Sequence, residues 1–261
     1  MTNQNKIYNG GLYSNDGRVF LKLLSNDYNY YYAVENGTEC IAENAFAGLS
    51  YSNKINYLDL PESIMYLRKG AFQRMALNSI AIPPKVTEIP EKLLFGCINL
   101  EHVHLPEGVE SIYQESFWKC SNLTHIILPY TLQKIEGNPF AYTGIKQMDC
   151  YSPFFKVQDD CLYTTDGTLI YCFSQKHELN IPSWVIKIGE SAFEGNRYIM
   201  RVNFPRLINI APRAFANCSS LTAISVPMNM KHKIKVEKTL LKLIKERGKN
   251  EEFETTQGRR I

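Results

Sequence analysis

Hydrophobic positions recur along the chain at an interval of about 23 residues. In seven segments an apolar residue, usually phenylalanine, follows a branched aliphatic residue by five positions. The later position is called the ring slot here, and its members are Phe46, Phe72, Leu94, Phe117, Phe140, Phe193 and Phe215. The earlier position is called the aliphatic slot, and its members are Ile41, Leu67, Ile89, Ile112, Ile135, Ile188 and Ile210. A unit of this length cannot enclose a core of its own, so the pattern predicts a β-rich repeat solenoid of about seven coils that bury their apolar sides against one another.

Each coil also contains a short segment that ends at a proline. The segments LEHVHLP (100–106), LTHIILP (123–129) and LTAISVP (221–227) alternate with the two-residue period of a strand. Proline stops each strand because it cannot donate a hydrogen bond to a ladder. The residue before the ring slot is small in most coils, but Leu93 is an exception, and Leu94 beside it replaces the ring. The coil that contains these two leucines is therefore predicted to pack differently.

A second module occurs twice. The segments GGLYSNDGRVFLKL (10–23) and DCLYTTDGTLIYCF (160–173) share a Leu-Tyr pair that is followed, after two residues, by Asp-Gly and an apolar run. An Asp-Gly pair between apolar runs is typical of a two-residue hairpin turn with positive φ. The sequence thus predicts two β-hairpins, the first of which would cover the edge of the first coil. The tyrosine-rich segment NDYNYYYAV (26–34) is interpreted as a strand of that first hairpin.

These patterns divide the chain into three parts. Residues 1–32 are predicted to form an N-terminal β-hairpin cap. Residues 33–227 are predicted to form the solenoid, with the second hairpin inserted at about 151–180. Residues 228–261 are predicted to form a basic helical cap and tail, because apolar residues recur at helical spacing within 236–250.

The combined pattern L-x-x-I-x-L-P-x-x-V-x-x-I-x-x-x-A-F-x-x-C resembles the BspA-type leucine-rich repeats, and the resemblance extends over about residues 33–227. That family is found widely in bacterial surface proteins and in some protozoa. The resemblance implies a leucine-rich repeat fold, and for exported members it implies adhesion to host matrix or to other cells.

Charge argues against nucleic acid as a partner. The formal net charge is +3, and residues 228–261 have ten Lys and Arg against five Asp and Glu, so the other 227 residues sum to −2. The body of the chain therefore lacks the large cationic face that a phosphate backbone requires. Hydrophobic residues make up 44% of the chain, as in a folded soluble protein.

The location in the cell depends on how the chain begins. No stretch approaches the ~18 to 20 apolar residues of a membrane span. The first residues, MTNQNKIYNGG, lack the basic and apolar regions of a secretory signal. We therefore expect a cytoplasmic protein if Met1 is native, and a cell-surface or secreted protein if an export signal was removed.

The cysteines are interpreted mainly as packing residues. Cys97, Cys120 and Cys218 each follow the ring slot by three positions, and buried free cysteine packs as a small hydrophobe. A two-residue turn would pair Cys161 with Cys172 at a hydrogen-bonded position, where side chains are further apart. The odd total of seven and the missing signal favour free thiols, and a disulfide between these two is left open.

Three histidines are predicted on neighbouring strands. His102, His104 and His125 point away from the core by alternation, either as incidental surface residues, which we favour, or as ligands of a divalent metal. Neither a nucleophile elbow nor a zinc or phosphate-loop motif is present. We therefore expect no enzyme activity, no bound metal and no cofactor.

The outward side chains of the strands are the candidate ligand-binding residues. The sequence assigns to this set Tyr57, Asp59, His102, His104, His125, Gln147, Asp149, Arg201 and Asn203. The leading hypothesis is noncatalytic recognition of a protein partner. The alternatives are glycan binding on Tyr57 and the tyrosine-rich segment, an enzyme built on the histidines, and a structural module within a larger assembly.

Overall fold

The computed structural model describes residues 5–24, 29–47, 54–206 and 208–225. These residues form strands and turns without a helix. The described residues include no helix that is long and apolar enough to cross a membrane. The helix predicted within 236–250 lies outside the described residues.

The chain divides into two compact units, Met1–Phe154 and Phe155–Ile261, called unit 1 and unit 2. The strands of unit 1 are β1 (Lys6–Tyr8), β2 (Gly11–Tyr13), β3 (Val19–Leu23), β4 (Asn29–Ala33), β5 (Cys40–Ile41), β6 (Lys54–Asp59), β7 (Tyr66–Leu67), β8 (Ser79–Ala81), β9 (Glu88–Ile89), β10 (His102–His104), β11 (Ser111–Ile112), β12 (His125–Leu128), β13 (Lys134–Ile135) and β14 (Gln147–Cys150). Those of unit 2 are β15 (Phe155–Gln158), β16 (Cys161–Thr164), β17 (Thr168–Cys172), β18 (Glu178–Asn180), β19 (Lys187–Ile188), β20 (Arg201–Asn203), β21 (Asn209–Ile210) and β22 (Ala223–Ser225).

Strands pair in two kinds of parallel ladder, and the strands predicted before the prolines form the one called the first ladder here. In unit 1, strands β4, β6, β8 and β10 pair in parallel, and β12 pairs with β14 in a separate ladder. In unit 2, β18, β20 and β22 pair in the same manner. Alternate residues of these strands are buried, as Ile80 and Ile126 are, while their neighbours face solvent. Both units are therefore stacks of solenoid coils, as the repeat pattern predicts.

A second ladder consists of two-residue strands, and each ends at a residue of the aliphatic slot. Ile89, Ile112 and Ile135 pair in register across β9, β11 and β13, and all three are buried. In unit 2, Ile188 pairs with Ile210 in the same way. The sequence did not predict this ladder, because two residues are too few to show a strand period. It explains why the aliphatic slot is occupied in every coil.

The ring slot lies in the turn that returns the chain to the first ladder. In most coils the ring-slot N–H donates to the carbonyl of the residue that precedes the next ring slot, as Phe117 does to Pro139 at 3.0 Å and Phe193 to Ala214 at 2.8 Å. The rings themselves stack along the coils, with 5.5 Å between the centroids of Phe117 and Phe140. The turn thus links neighbouring coils through both backbone and side chains.

The coil with two leucines does pack differently. Leu93 and Leu94 are fully buried and keep the backbone ladder, since Phe72 N–H donates to the Leu93 carbonyl at 3.0 Å. The next residue, Phe95, instead stacks on Trp118 at 4.4 Å, away from the ring-slot column. The two leucines therefore interrupt the column of core rings, and an aromatic pair stacks at a half-buried position beside it.

Both predicted hairpins are present, but their turns are longer than two residues. Residues 14–18 lie between β2 and β3, and residues 165–167 lie between β16 and β17. Only the glycine of each Asp-Gly pair has positive φ, 80° at Gly17 and 101° at Gly167. The prediction of a two-residue turn was therefore wrong, because side chains before the Asp-Gly pair bond within the loop, as Ser14 does to Asp16.

Each hairpin extends the second ladder of its own unit. Strands β1, β2 and β3 pair antiparallel, and β3 pairs in parallel with β5. Strands β15, β16 and β17 also pair antiparallel, and β17 pairs in parallel with β19. The tyrosine-rich segment is not part of a hairpin, since β4 pairs in parallel with β6 and begins the first ladder. Strand β18, which falls within the predicted insertion, likewise pairs with β20.

Candidate functional site

The outward side chains of the first-ladder strands β4, β6, β10, β12 and β14 form an exposed surface on unit 1. We call it the unit 1 strand face, and it comprises Tyr31, Tyr57, Asp59, His102, His104, His125, Ile127, Gln147 and Asp149. All of them are exposed or half-buried, while the intervening Ile55, Ile126 and Met148 are buried. The strand period therefore positions each candidate, because its buried neighbours fix which side chains point outward.

A tyrosine pair lies at one part of this face. Tyr31 and Tyr57 are register partners on β4 and β6, and their side chains are 55% and 53% exposed. The Tyr31 hydroxyl donates to Asp59 Oδ2 at 3.1 Å, and this hydrogen bond raises the pKa of Tyr31. Two aromatic rings and a carboxylate thus share one solvent-facing patch. Sequence reasoning missed Tyr31 because it assigned the tyrosine-rich segment to the hairpin.

A second group of candidates surrounds Asp149. Its Oδ2 atom lies 2.8 Å from His125 Nε2, and Gln147 Nε2 lies 3.4 Å from both carboxylate oxygens. The contact with His125 and the weaker one with Gln147 lower the pKa of Asp149. The sequence placed all three residues on one face, and the structure brings them into direct contact.

The other two histidines do not join this group. His102 and His104 lie on β10, which pairs with β8 and not with β12. Among residues 5–24, 29–47, 54–206 and 208–225, no three His, Cys, Asp or Glu side chains are close enough together to hold a metal ion. The alternative of a metal site on the three histidines is therefore not supported by their placement.

Unit 2 has a polar face of its own. Asn203 donates through Nδ2 to Glu178 Oε1 at 2.6 Å and to Asn180 Oδ1 at 2.8 Å, and Ser225 donates to Asn203 Oδ1. Arg201 is exposed on the same strand, β20. Glu178 and Asn180 were missed because β18 was read as part of the insertion. Glu178 precedes Arg201 by 23 residues, and this repeat spacing is the signal that could have found them.

The repeated cysteines have a packing role, as predicted. Cys97, Cys120 and Cys218 are buried, and each thiol donates to the carbonyl of the ring-slot residue one coil earlier. Burial raises the pKa of Cys97 to about 12, so its thiol stays protonated. These thiols therefore satisfy carbonyl groups that the turn leaves inside the stack.

A family model described as "BspA type Leucine rich repeat region" matches residues 34–168 and 169–237 with six copies. The chain belongs to the BspA-type leucine-rich repeat family. The match includes most of unit 1 and most of unit 2. It therefore confirms the family that the repeat pattern indicates. Leucine-rich repeat families are generally noncatalytic.

Solved structures show the same fold. A leucine-rich cell surface protein from Faecalibacterium prausnitzii is 18% identical, with a TM-score of 0.60, and the match covers 85% of this chain and 80% of that one. The pneumococcal vaccine antigen PcpA is also 18% identical, with a TM-score of 0.71 and coverage of 86% and 70%. A search of curated proteins finds no match. At this level of identity the likeness concerns the fold of a BspA-type repeat protein.

Proposed function

We propose that this BspA-type repeat protein is a noncatalytic scaffold that binds a protein partner through the unit 1 strand face. The observation that supports the proposal is the alignment of exposed side chains on five strands, β4, β6, β10, β12 and β14, above a buried core. An extended row of this kind meets a macromolecular surface better than a small molecule, which requires a concave site.

The chemistry of the face suits recognition by shape and hydrogen bonding. Asp59 and Asp149 are the only side chains of the defined face with a full formal charge when histidine is neutral. Tyr57 and Ile127, which are 53% and 46% exposed, supply apolar area. Interfaces commonly depend on a few aromatic anchors among polar contacts that exclude water. We therefore expect Tyr57 to be an anchor and the His125–Asp149 pair to set orientation.

An extracellular role in adhesion follows as part of this proposal. Its support is the family's occurrence in bacterial surface proteins and the fold shared with a cell surface protein and a pneumococcal antigen. On this proposal the partner is a host-matrix or cell-surface protein, and the chain acts at the cell surface or after secretion.

The test is binding to a panel of immobilised matrix and cell-surface proteins. The variants Tyr57→Ala and Asp149→Ala remove one anchor and one charged contact from the face. Tyr66→Ala and Glu136→Ala are matched controls, because Tyr66 is 51% exposed on β7 and Glu136 forms an exposed pair with Lys134 beside β13. We expect the face variants to weaken binding at least about tenfold, as truncated hot spots do, and the controls to have no effect.

Loss of binding in the controls but not in the face variants would contradict the proposal. Absence of binding to every protein on the panel, with unchanged folding, would favour the structural-module alternative.

Glycan binding is the second candidate, and the exposed pair Tyr31 and Tyr57 favours it. Flat aromatic rings beside a carboxylate can stack on a sugar and accept hydrogen bonds from its hydroxyls. A glycan-array signal that is abolished in Tyr57→Ala and kept in Tyr66→Ala, without binding to any protein, would place this function first.

A further inference from the structure

Two buried thiols face each other in the second hairpin. Cys161 and Cys172 are register partners on the antiparallel strands β16 and β17, and they are 0% and 2% exposed. Their Sγ atoms are 2.9 Å apart. A disulfide bond is ~2.05 Å long, so the sulfur atoms need to approach by about 0.9 Å to be bonded.

The backbone around this pair suits a cross-strand disulfide. Cys172 N–H donates to the Ala192 carbonyl at 2.8 Å, on the side away from β16, whereas Phe173 N–H donates to the Asp160 carbonyl across the hairpin at 3.0 Å. Cys161 and Cys172 therefore occupy a non-hydrogen-bonded position. Cα atoms at such positions are roughly 4.5 Å apart, within the range of disulfide-bonded cysteines.

The sequence had predicted the opposite. It placed the pair at a hydrogen-bonded position because it counted outward from a two-residue turn. The loop has three residues, 165–167, and the register shifts between Leu162 and Tyr163. These two irregularities change which residue pairs exchange backbone hydrogen bonds. The wide side-chain separation of a hydrogen-bonded position therefore does not apply to Cys161 and Cys172.

We propose that Cys161 and Cys172 form an intrachain disulfide when the chain meets a disulfide oxidant, either a small-molecule disulfide or an exchange protein. The thiolate of one cysteine attacks the oxidant's S–S bond and forms a mixed disulfide, and one oxidant thiolate leaves. The second cysteine thiolate attacks the cysteine sulfur of that mixed disulfide, the new S–S bond forms, and the second thiolate leaves. The two cysteines lose two electrons and two protons, and the oxidant becomes two thiols.

The burial of the pair determines when this reaction occurs. Burial, followed by the contact with Cys172, raises the pKa of the Cys161 thiol well above its ordinary value. The attacking thiolate is consequently scarce in the folded hairpin, and an oxidant cannot reach either sulfur. Oxidation is therefore fast while the chain folds and slow once β16 and β17 have closed.

The other buried thiols provide an internal comparison. Cys97, Cys120 and Cys218 donate to backbone carbonyls at 3.0 to 3.2 Å rather than facing another thiol. Cys97 and Cys120 lie one coil apart on successive turns and serve as the comparison pair.

Peptide mapping tests the proposal on the full wild-type chain. The protein is refolded with glutathione disulfide, alkylated without reduction and digested with trypsin. Both cysteines then fall in one peptide, residues 157–176, which has no internal Lys or Arg and no other cysteine. We expect this peptide to be unalkylated and lighter by two hydrogen atoms. Further cleavage before Asp166 should leave its two halves joined until a reductant is added.

Alkylation of both cysteines after oxidative refolding would overturn the proposal, as would a link between Cys97 and Cys120 with residues 157–176 unlinked. Cys172→Ser should abolish the cross-link, whereas Cys218→Ser should retain it. Adding oxidant to protein that is already folded should give the same product at least about tenfold more slowly, since the thiols are buried. Equal rates would contradict the role assigned to hairpin closure.

Discussion

The two hairpins have the same backbone plan and different interiors. In each, three antiparallel strands pair onto a two-residue strand, through β3 and β5 in unit 1 and through β17 and β19 in unit 2. Leu23 N–H donates to Ala45 at 2.9 Å just as Cys172 N–H donates to Ala192 at 2.8 Å. By this hydrogen bond and by register, Gly11 and Leu23 hold the positions that Cys161 and Cys172 hold in the second hairpin.

What fills the two interiors is different. In unit 1, Phe20 contacts the rings of Tyr13, Tyr32 and Phe46, with centroids 4.8 to 6.0 Å apart. In unit 2, Leu169 stands at the place of Phe20, and the two thiols stand at the places of Gly11 and Leu23. The ring of Tyr163, at the place of Tyr13, packs on Trp184 at 4.9 Å. The backbone hydrogen bonds are thus common to both hairpins, while the side chains inside differ, with an aromatic cluster in the first hairpin and a thiol pair in the second.

The largest effect is expected from Phe20→Ala. Removing this ring leaves a cavity among three others and should lower the free energy of unfolding of unit 1 by about 3 to 5 kcal/mol. Leu169→Ala, at the corresponding place in unit 2, should cost about 2 to 4 kcal/mol there. Trp118 and Trp184 are the two tryptophans, one in each unit, so fluorescence of single-tryptophan variants in urea reports each unit separately. An unchanged urea midpoint for unit 1 in Phe20→Ala would contradict the role assigned to this ring.

The next effect concerns oxidation. A disulfide that closes the short loop between Cys161 and Cys172 should stabilise unit 2 by roughly 2 to 3 kcal/mol relative to the reduced chain. Unit 1, where Gly11 and Leu23 stand instead, should unfold at the same urea concentration in both redox states. The measurement is urea unfolding with and without reductant, and Cys172→Ser should remove the difference.

A smaller effect is expected from Gly11→Ala. A Cβ atom at Gly11 would lie 2.5 Å from the Tyr32 hydroxyl and 2.6 Å from a Phe20 ring carbon, so the aromatic cluster would need to shift. We expect a cost of about 1 to 3 kcal/mol in unit 1. The control is Cys161→Ala, which has a Cβ atom already and should cost about 1 kcal/mol in unit 2. An unchanged midpoint for Gly11→Ala would show that the cluster is not tightly packed.

The smallest effect tests a cation–π contact of the second hairpin. Lys156 Nζ lies 3.3 Å from the centroid of the Trp184 ring. Lys156→Met retains the side-chain stem and should lower the stability of unit 2 by about 0.5 to 1 kcal/mol. Lys6 pairs with Tyr13 as Lys156 pairs with Tyr163, so Lys6→Met is the matched control and should leave unit 1 unchanged.

The sequence predicted those features that repeat. The ring slot, the aliphatic slot and the strands before proline recur often enough to identify the coils and the family without a structure. It failed where a feature occurs once or is very short. Two-residue strands show no period, and one loop residue more or fewer changes which pairs across β16 and β17 are hydrogen-bonded.

The candidate face shows the same division. Alternation predicted correctly that His125, Gln147 and Asp149 point outward, because the period of a strand is independent of side-chain chemistry. It could not predict that His125 contacts Asp149 on the next strand rather than His102 on β10, since that choice depends on pairing between coils. Tyr31 and Glu178 were missed for a related reason, because their strands adjoin hairpins and were assigned to them.

The most direct test of the proposed function is hydroxyl-radical footprinting of the chain with and without a bound protein partner. Aromatic and histidine side chains react readily, and the chain has suitable ones both on and off the face. We expect Tyr57, His102 and His125 to become protected, while Tyr66 on β7, which is equally exposed, reacts as in the free protein. Protection of Tyr66 with continued reaction at Tyr57 and His125 would contradict the proposed function.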